Sequence, residues 1–194
     1  MINIKQKFEI IDYNKFINYF IVLYSFCLPI SKAGTTFSAI CLILLWFIES
    51  NFKVKISLIK SNKFMIVLGT FLLLSFLSIF WSSDTSFAVD YIRKYWHFLI
   101  IPIIYTSLNK SYINHVFSAF LLGMFISEIV SYGIFFEFWT KEGVSPNDPS
   151  PFMDHTNYSI YLAFTVFILM HRILFEPLIK WKIMYGVFML FSMS

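Results

Sequence analysis

The sequence predicts an all-α protein, a polytopic bundle of transmembrane helices, and two features of its composition carry that prediction. Only 13% of the 194 residues are charged, about half the share found in a typical soluble domain. The charges are confined to short clusters, and between them lie apolar runs of roughly 14 to 25 residues, the length scale of a bilayer-spanning helix. A water-soluble fold would have to bury nearly every helix on all sides, which so short a chain cannot arrange.

The apolar runs predict six complete spans and a shorter seventh run. Pro29 and Gly34, in "LPISKAG", predict a tight turn between the first two helices, which are short and form a hairpin. Trp81 marks the end of the third helix at a membrane interface, where tryptophan is enriched. The six predicted helices cover residues 16–30, 35–48, 64–81, 87–108, 112–138 and 157–174.

The seventh run, "IMYGVFMLFSMS", starts near residue 183 and reaches Ser194. Its dozen residues make roughly 18 Å of helix, whereas the hydrocarbon core of a bilayer is about 30 Å thick. No basic or polar flank closes the run. We therefore expect residues 1–194 to be the N-terminal portion of a single, longer transmembrane domain.

The distribution of lysine and arginine predicts a cytoplasmic N terminus. Eleven of the 15 basic residues fall on the same side as the N terminus when the six spans are threaded through a membrane. Cytoplasmic loops carry such an excess. The polar loop at about residues 139–156 is then on the outer face. Topology accounts for the net charge of +4, and we expect no nucleic-acid partner.

A first polar cluster, "WSSDTSFAVDYIRKYWHF", lies where the third helix gives way to the fourth. Ser83 or Asp84 is predicted to cap the fourth helix. Asp90 precedes Arg93 by three residues and Lys94 by four, so these side chains can pair on one helical face. Two interpretations remain open. The cluster is an interfacial ion-pair network, or Arg93 and Lys94 bind an anionic group such as a lipid diphosphate.

A second candidate is Glu128, near the middle of the fifth predicted span. Ionisable groups at membrane depth are costly and are functional candidates by default. Its neighbours include Ser127 and Ser131, together with glycines that allow helices to approach closely. Two roles remain open for this carboxyl: a hydrogen-bonded packing group, or part of a proton relay.

The third candidate is the stretch "SPNDPSPFMDHTNYS", residues 145–159. Its three prolines exclude a helix and favour an extended path broken by turns. Asp154 or Thr156 is predicted to cap the sixth helix, which places His155 and Asn157 at its outer mouth. One histidine and two aspartates do not form a ligand pattern, so we expect no metal and no cofactor. No nucleophile elbow is present either.

These stretches resemble O-antigen ligase and O-antigen polymerase-like membrane proteins. "LSIFWSSDTSFAVDYIRKYWHFLIIPI" is similar to the family segment in which a helix ends in Trp-Ser and an acidic turn leads into the next span. "PSPFMDHTNYSIYLAF" is similar to the outer loop that ends in His or Asn and opens a helix, and "PISKAG" fits the early hairpin. The resemblance covers about residues 17–174.

The resemblance implies a glycosyltransferase-type protein of the bacterial inner membrane, acting in lipopolysaccharide biosynthesis. Such proteins transfer a glycan from an undecaprenyl-diphosphate carrier to a lipid A-core acceptor, or to a growing chain, without a metal or nucleotide sugar. Arginines hold the donor diphosphate, which makes Arg93, with Lys94, the candidates for that contact. The family's catalytic histidine lies in a later outer loop. The catalytic residue is therefore unassigned, with His155 as a weak candidate and His155 and Asn157 as substrate-binding candidates.

Other functions remain open on sequence grounds. A polysaccharide polymerase of the same superfamily shares the donor and differs in the acceptor, and no residue separates it from a ligase. A small transporter or an assembly subunit without enzymatic activity is the alternative from another class. A transporter would carry ionisable groups near mid-bilayer on several helices. Only Glu128 lies deep in this chain, which favours chemistry at the outer leaflet.

Overall fold

The computed structural model describes residues 13–142 and 144–193, except for the side chain of Arg93. Within these ranges the chain is built of α-helices and short 3-10 helices, without a β-strand. The predicted all-α class is therefore confirmed. The α-helices are α1 Tyr13–Cys27, α2 Lys32–Ile48, α3 Phe52–Ser61, α4 Lys63–Leu77, α5 Thr85–Arg93, α6 Ile100–Ser107, α7 Ile113–Phe135, α8 His155–Phe175 and α9 Ile179–Met193, with 3-10 helices at Ser78–Trp81, Lys94–Leu99 and Lys110–Tyr112.

Three helical segments of the described chain are long and apolar enough to cross a membrane: Lys63–Trp81, Lys110–Phe135 and His155–Phe175. The helices α2 and α3 meet at a bend of 113° and would make a fourth if the bent pair forms one span. A third or less of the apolar window of each segment is buried inside the folded chain, which is compatible with helices that face lipid. Three or four segments of the described chain thus have the length and composition to span a membrane, while the arrangement of six spans stays a prediction.

The predicted fourth helix, residues 87–108, is divided in the structure into α5, a 3-10 segment and α6. Asp84 caps α5, because its Oδ1 accepts a hydrogen bond of 2.9 Å from the backbone N–H of Phe87, as the sequence predicted. The 3-10 segment Lys94–Leu99 immediately precedes α6, whose third residue is Pro102. Proline has no N–H and its ring crowds the carbonyl four residues earlier. The break therefore falls in the turn before the proline.

Residues 52–61, predicted as a cytoplasmic loop, form the helix α3. Ser50 and Asn51 adopt positive φ angles of 63° and 44° and turn the chain sharply after α2. Lys55 on α3 is 4% exposed. Its Nζ lies 2.8 Å from Glu49 Oε2 and donates to the Trp46 carbonyl at 2.6 Å. This buried cation thus fixes α3 against the end of α2.

The described chain forms two compact units, and the first consists of the segment ending at Ile21 together with Ala39–Lys110. Its core contains Ile17, Leu42 and Ile100, each 2% exposed or less. The fully buried side chain of Asn18 crosses from α1 to the end of α6. It donates to the Ser107 carbonyl at 3.1 Å and accepts from the N–H of Asn109 at 2.8 Å. Helix α1 is thereby held in register within this unit.

The second unit consists of Val22–Ser38 and the chain from Ser111 onward. Helices α8 and α9 pack along one another after a short connection. A buried cluster of Phe120, Met124 and Tyr158 joins α7 to α8. Gly123 on α7 permits the close approach of the end of α1 and of Pro29 after it, since a Cβ there would lie 2.6 Å from the Phe26 carbonyl oxygen and 2.7 Å from Pro29 Cγ.

Substituting Gly123 by alanine is expected to destabilise the protein by about 1–3 kcal/mol, the range for overpacking a filled site. The matched control is Gly186→Ala in α9, because a Cβ at Gly186 meets no atom within 4 Å. That control should leave stability unchanged or raise it by up to about 1 kcal/mol through helix propensity. Unfolding titrations in mixed detergent micelles measure both variants. Equal stability of the two variants would contradict the close packing at Gly123.

Candidate functional site

The polar loop of the second unit leaves α7 through a well-defined helix cap. Glu137 adopts a left-handed φ of 60°, its N–H bonds to the Ile134 carbonyl at 3.0 Å, and the N–H of Phe138 bonds to the Gly133 carbonyl at 2.9 Å. This pattern is a Schellman motif, which satisfies the last carbonyls of a helix. The loop therefore begins in a fixed direction.

The loop is then tied back to α7 by its own backbone. Ser145 and Asp148 close a turn around Pro146, with a 3.0 Å bond from the N–H of Asp148 to the Ser145 carbonyl. Ser131 on α7 donates to the Pro149 carbonyl at 2.5 Å. The turn at Ser145–Asp148 agrees with the turn-forming residues of the sequence, and the Asp148 side chain at its end is exposed.

A cavity of about 480 Å³ lies between this loop and the adjoining parts of α7, α8 and α9. Its lining combines polar groups with aromatic and aliphatic side chains, which is the usual composition of a small-molecule site. The polar residues of the lining are Glu128, Ser131, Tyr132, Asn147, Asp148, Ser150, His155, Tyr158, Ser159 and Ser192. We call it the loop pocket.

His155 and Asp148 form a pair at the rim of the loop pocket. The Nδ1 atom of His155 lies 3.4 Å from Asp148 Oδ1, and both side chains are more than half exposed. The same Asp148 oxygen accepts a 2.5 Å bond from the hydroxyl of Ser150, which fixes the carboxylate. A carboxylate near Nδ1 can orient an imidazole ring. The arrangement is suited to general-base chemistry.

The deeper wall of the loop pocket holds a buried carboxyl. Glu128 is 1% exposed, and the hydroxyl of Ser192 on α9 donates to its Oε1 at 2.9 Å. Tyr158 on α8 lies near Glu128 and near the Ser131 hydroxyl. The predicted hydrogen bond between Glu128 and a hydroxyl is therefore present, although its donor comes from α9 and not from the neighbouring serines. Three helices thus bring polar groups to one cavity.

Asp154 occupies the cap position of α8 in a different way from the prediction. Its carbonyl accepts from the N–H of Tyr158 at 3.0 Å, but its side chain makes no cap bond. The carboxylate instead accepts from Lys32 Nζ at 3.2 Å and from the Asn157 amide. Asn157 is therefore engaged in holding Asp154, and it does not line the loop pocket.

The hydrogen bond and charge of Lys32 lower the pKa of the exposed Asp154 carboxyl below its usual value. The stabilising contribution of such a group is present above its unfolded pKa, near 3.9, and is lost as the pH falls through the folded pKa. Thermal unfolding midpoints of wild type and Asp154→Asn should therefore differ slightly at neutral pH and converge below about pH 4. A difference that persists at low pH would contradict this pairing.

The predicted donor-binding residues lie in the first unit, at the end of α5. Lys94 is exposed, and its ammonium lies 5.9 Å from the centre of the Tyr91 ring. The side chain of Arg93 lies outside the described part of the structure. Its role, and the predicted pairing with Asp90, stay predictions.

Both His155 and Glu128 are candidates from the sequence, but the sequence did not predict that Asp148 pairs with His155 or that Ser192 reaches Glu128. Asp148 and His155 are separated by a proline-containing loop, and their spacing does not by itself predict that they pair. The sequence around Ser192 gives no sign of its contact with Glu128, because Ser192 is a single serine in an apolar run. Among the described residues, no three His, Cys, Asp or Glu side chains group as a metal site.

Comparisons of the chain with protein-family models, with curated proteins and with solved structures found no match.

Proposed function

We propose that this protein is a membrane-embedded glycan transferase of the O-antigen ligase type, with the loop pocket as its acceptor site. The observation that carries the proposal is the Asp148–His155 pair at the rim of a polar cavity, beside helices long and apolar enough to cross a membrane. Glycan acceptors present hydroxyl groups, and the pocket offers serine, tyrosine and carboxyl side chains that can bond to them. In this proposal the Asp148–His155 pair lies beside the acceptor hydroxyl group that reacts.

The proposed step is a displacement at the anomeric carbon of the donor sugar. The acceptor oxygen forms a bond to that carbon, and the bond from the carbon to the undecaprenyl diphosphate breaks. The electron pair of the broken bond leaves with the diphosphate. The acceptor proton passes to Nε2 of His155, while Asp148 orients the imidazole and stabilises its charged form. Arg93 and Lys94 are assigned the donor diphosphate, whose negative charge they would offset.

The membrane arrangement forms part of the same proposal. We place the chain in a bacterial inner membrane with six complete spans and a cytoplasmic N terminus, because most lysines and arginines then fall on the cytoplasmic side. The loop pocket opens to the outer face in this topology. A lipid-linked donor and a lipid A-core acceptor both present their sugars there.

A second candidate function is proton-linked transport, and one observation favours it. Glu128 is a buried carboxyl within an apolar span, and such groups serve as proton relays in transporters. It is the weaker candidate, since the described part of the chain places the Asp148–His155 pair, and not a chain of ionisable groups, at the same cavity.

Deletion of the intact gene followed by gel analysis of lipopolysaccharide tests the transferase proposal. If the protein is a ligase, the deletion strain should contain lipid A-core without attached polymer. If it is a polymerase, the deletion strain should contain lipid A-core with attached glycan that is limited to one repeat. Restoration by the wild-type gene on a plasmid is the control. Unchanged attachment and unchanged chain length would reject both carbohydrate functions and leave the transport candidate.

A further inference from the structure

A second cavity lies at the other end of α7 and α8 from the loop pocket, and its wall contains the cationic side chain of Arg172. Its volume is about 720 Å³, and phenylalanine side chains from both helices form much of its wall. The polar residues of the wall are Asn114, Ser118, His171, Arg172, Glu176 and Tyr185. In the proposed topology this end of the helices is on the cytoplasmic side.

Arg172 faces neutral acceptors in this cavity. Its Nη2 donates to the Ser118 hydroxyl at 2.8 Å and to the Asn114 carbonyl at 3.3 Å, and its Nη1 lies 3.4 Å from the Tyr185 hydroxyl. No carboxylate of the described residues forms an ion pair with it, although Glu176 lines the same cavity. A guanidinium has five donors, so charge and donors remain for an anionic group.

An apolar groove starts at the same arginine. This groove has a volume of about 820 Å³ and runs between α7 and α9. It shares Ser118, Arg172 and Tyr185 with the second cavity just described. Beyond them its wall is almost wholly apolar, and along α7 it extends from Ser118 to Ile129. That distance is roughly 17 Å at 1.5 Å per residue. A cation at the end of a long apolar groove matches an amphiphile with an anionic head and a hydrocarbon chain.

We propose that Arg172 and this groove bind an anionic phospholipid, with the phosphate on the guanidinium and an acyl chain between α7 and α9. The start of α9 supports this occupant. Lys180 is exposed and Lys182 is half-buried there, and Trp181 lines the groove. Tryptophan and lysine at such a position are typical of the headgroup region, and basic pockets between helices on the cytoplasmic side bind anionic lipids. The proposal is independent of the transferase chemistry.

The test measures lipid binding by the intact, delipidated protein in neutral detergent. Thermal stability is followed as phosphatidylglycerol, or phosphatidylcholine with the same acyl chains, is added in mixed micelles. The wild-type protein should bind phosphatidylglycerol about tenfold more tightly than phosphatidylcholine, since one charge-assisted contact contributes roughly that factor in affinity. Arg172→Gln should remove the preference, and Arg172→Lys should retain part of it.

Two further variants separate lipid binding from folding and from other occupants. Val187→Trp enlarges a side chain that lines the groove and should weaken binding, whereas Val67→Trp, on a similarly exposed site of α4, should not. The preference for phosphatidylglycerol persisting in Arg172→Gln would overturn the proposal. So would full replacement of the lipid by inorganic phosphate, or normal binding by Val187→Trp.

Discussion

Replacing His155 by alanine is expected to lower the rate of glycan transfer by about 10²- to 10⁴-fold, the contribution of a positioned general base. The imidazole lies at the rim of the loop pocket, with its Nδ1 3.4 Å from Asp148. Asp148→Asn should cause a smaller loss, because it removes the orienting carboxylate and leaves the base. Transfer is measured in membranes of the deletion strain that express each variant at equal level.

The matched control is His115→Ala, an exposed histidine on α7 that does not line the loop pocket. It should transfer at the wild-type rate. Separate measurement of kcat and KM for His155→Ala distinguishes two roles of this residue. A loss in kcat identifies the base, whereas a loss confined to KM would make His155 a substrate-positioning residue and leave the base to another segment, as the family resemblance implies. Full activity of His155→Ala would exclude both roles.

Replacing Lys55 by methionine is expected to destabilise the protein by about 3–5 kcal/mol, the cost of removing one partner of a buried ion pair. Glu49 would be left without its 2.8 Å partner, and the Trp46 carbonyl would lose its donor. The ammonium also lies 4.6 Å from the centre of the Trp46 ring, so a cation–π contact is lost as well. Equilibrium unfolding in detergent measures the change.

Two further variants isolate the effect of the ion pair. Lys53→Met, on an exposed site of the same helix, should change stability by less than about 0.5 kcal/mol. The double variant Lys55→Met with Glu49→Gln should recover part of the loss, because it removes the unpaired buried charge. Equal effects at Lys53 and Lys55 would show that the buried pair does not hold α3 in place.

The longest helices could be predicted from sequence because their apolar runs are uninterrupted. The fifth and sixth predicted helices, 112–138 and 157–174, correspond to α7 and α8 with ends that differ by one to three residues. Helix α3 could not be found in this way. Its lysines suggested a solvated loop, and its stability depends on Lys55 reaching Glu49 across the bend. That contact is visible only once the chain has folded.

The candidate site also has parts that the sequence predicts and parts that depend on long-range contacts. Prolines and turn residues predicted that the loop ends at the mouth of α8, and therefore predicted the location of His155. The pairing with Asp148 depends on how the turn at Ser145 folds back. The contact between Glu128 and Ser192 joins residues 64 apart in sequence, so local pattern carries no trace of it. Long-range packing of α7 against α9 created that part of the pocket.

The most direct measurement of the proposed function is transfer by the purified intact protein in vesicles. The vesicles contain labelled undecaprenyl-diphosphate glycan and a lipid A-core acceptor, without metal or nucleotide sugar. Labelled glycan should appear on the acceptor with wild type and His115→Ala, and its formation should be at least about 100-fold slower with His155→Ala. Well-folded wild-type protein that forms no labelled product, or a His155→Ala variant that forms it at the wild-type rate, would contradict a transferase centred on the loop pocket.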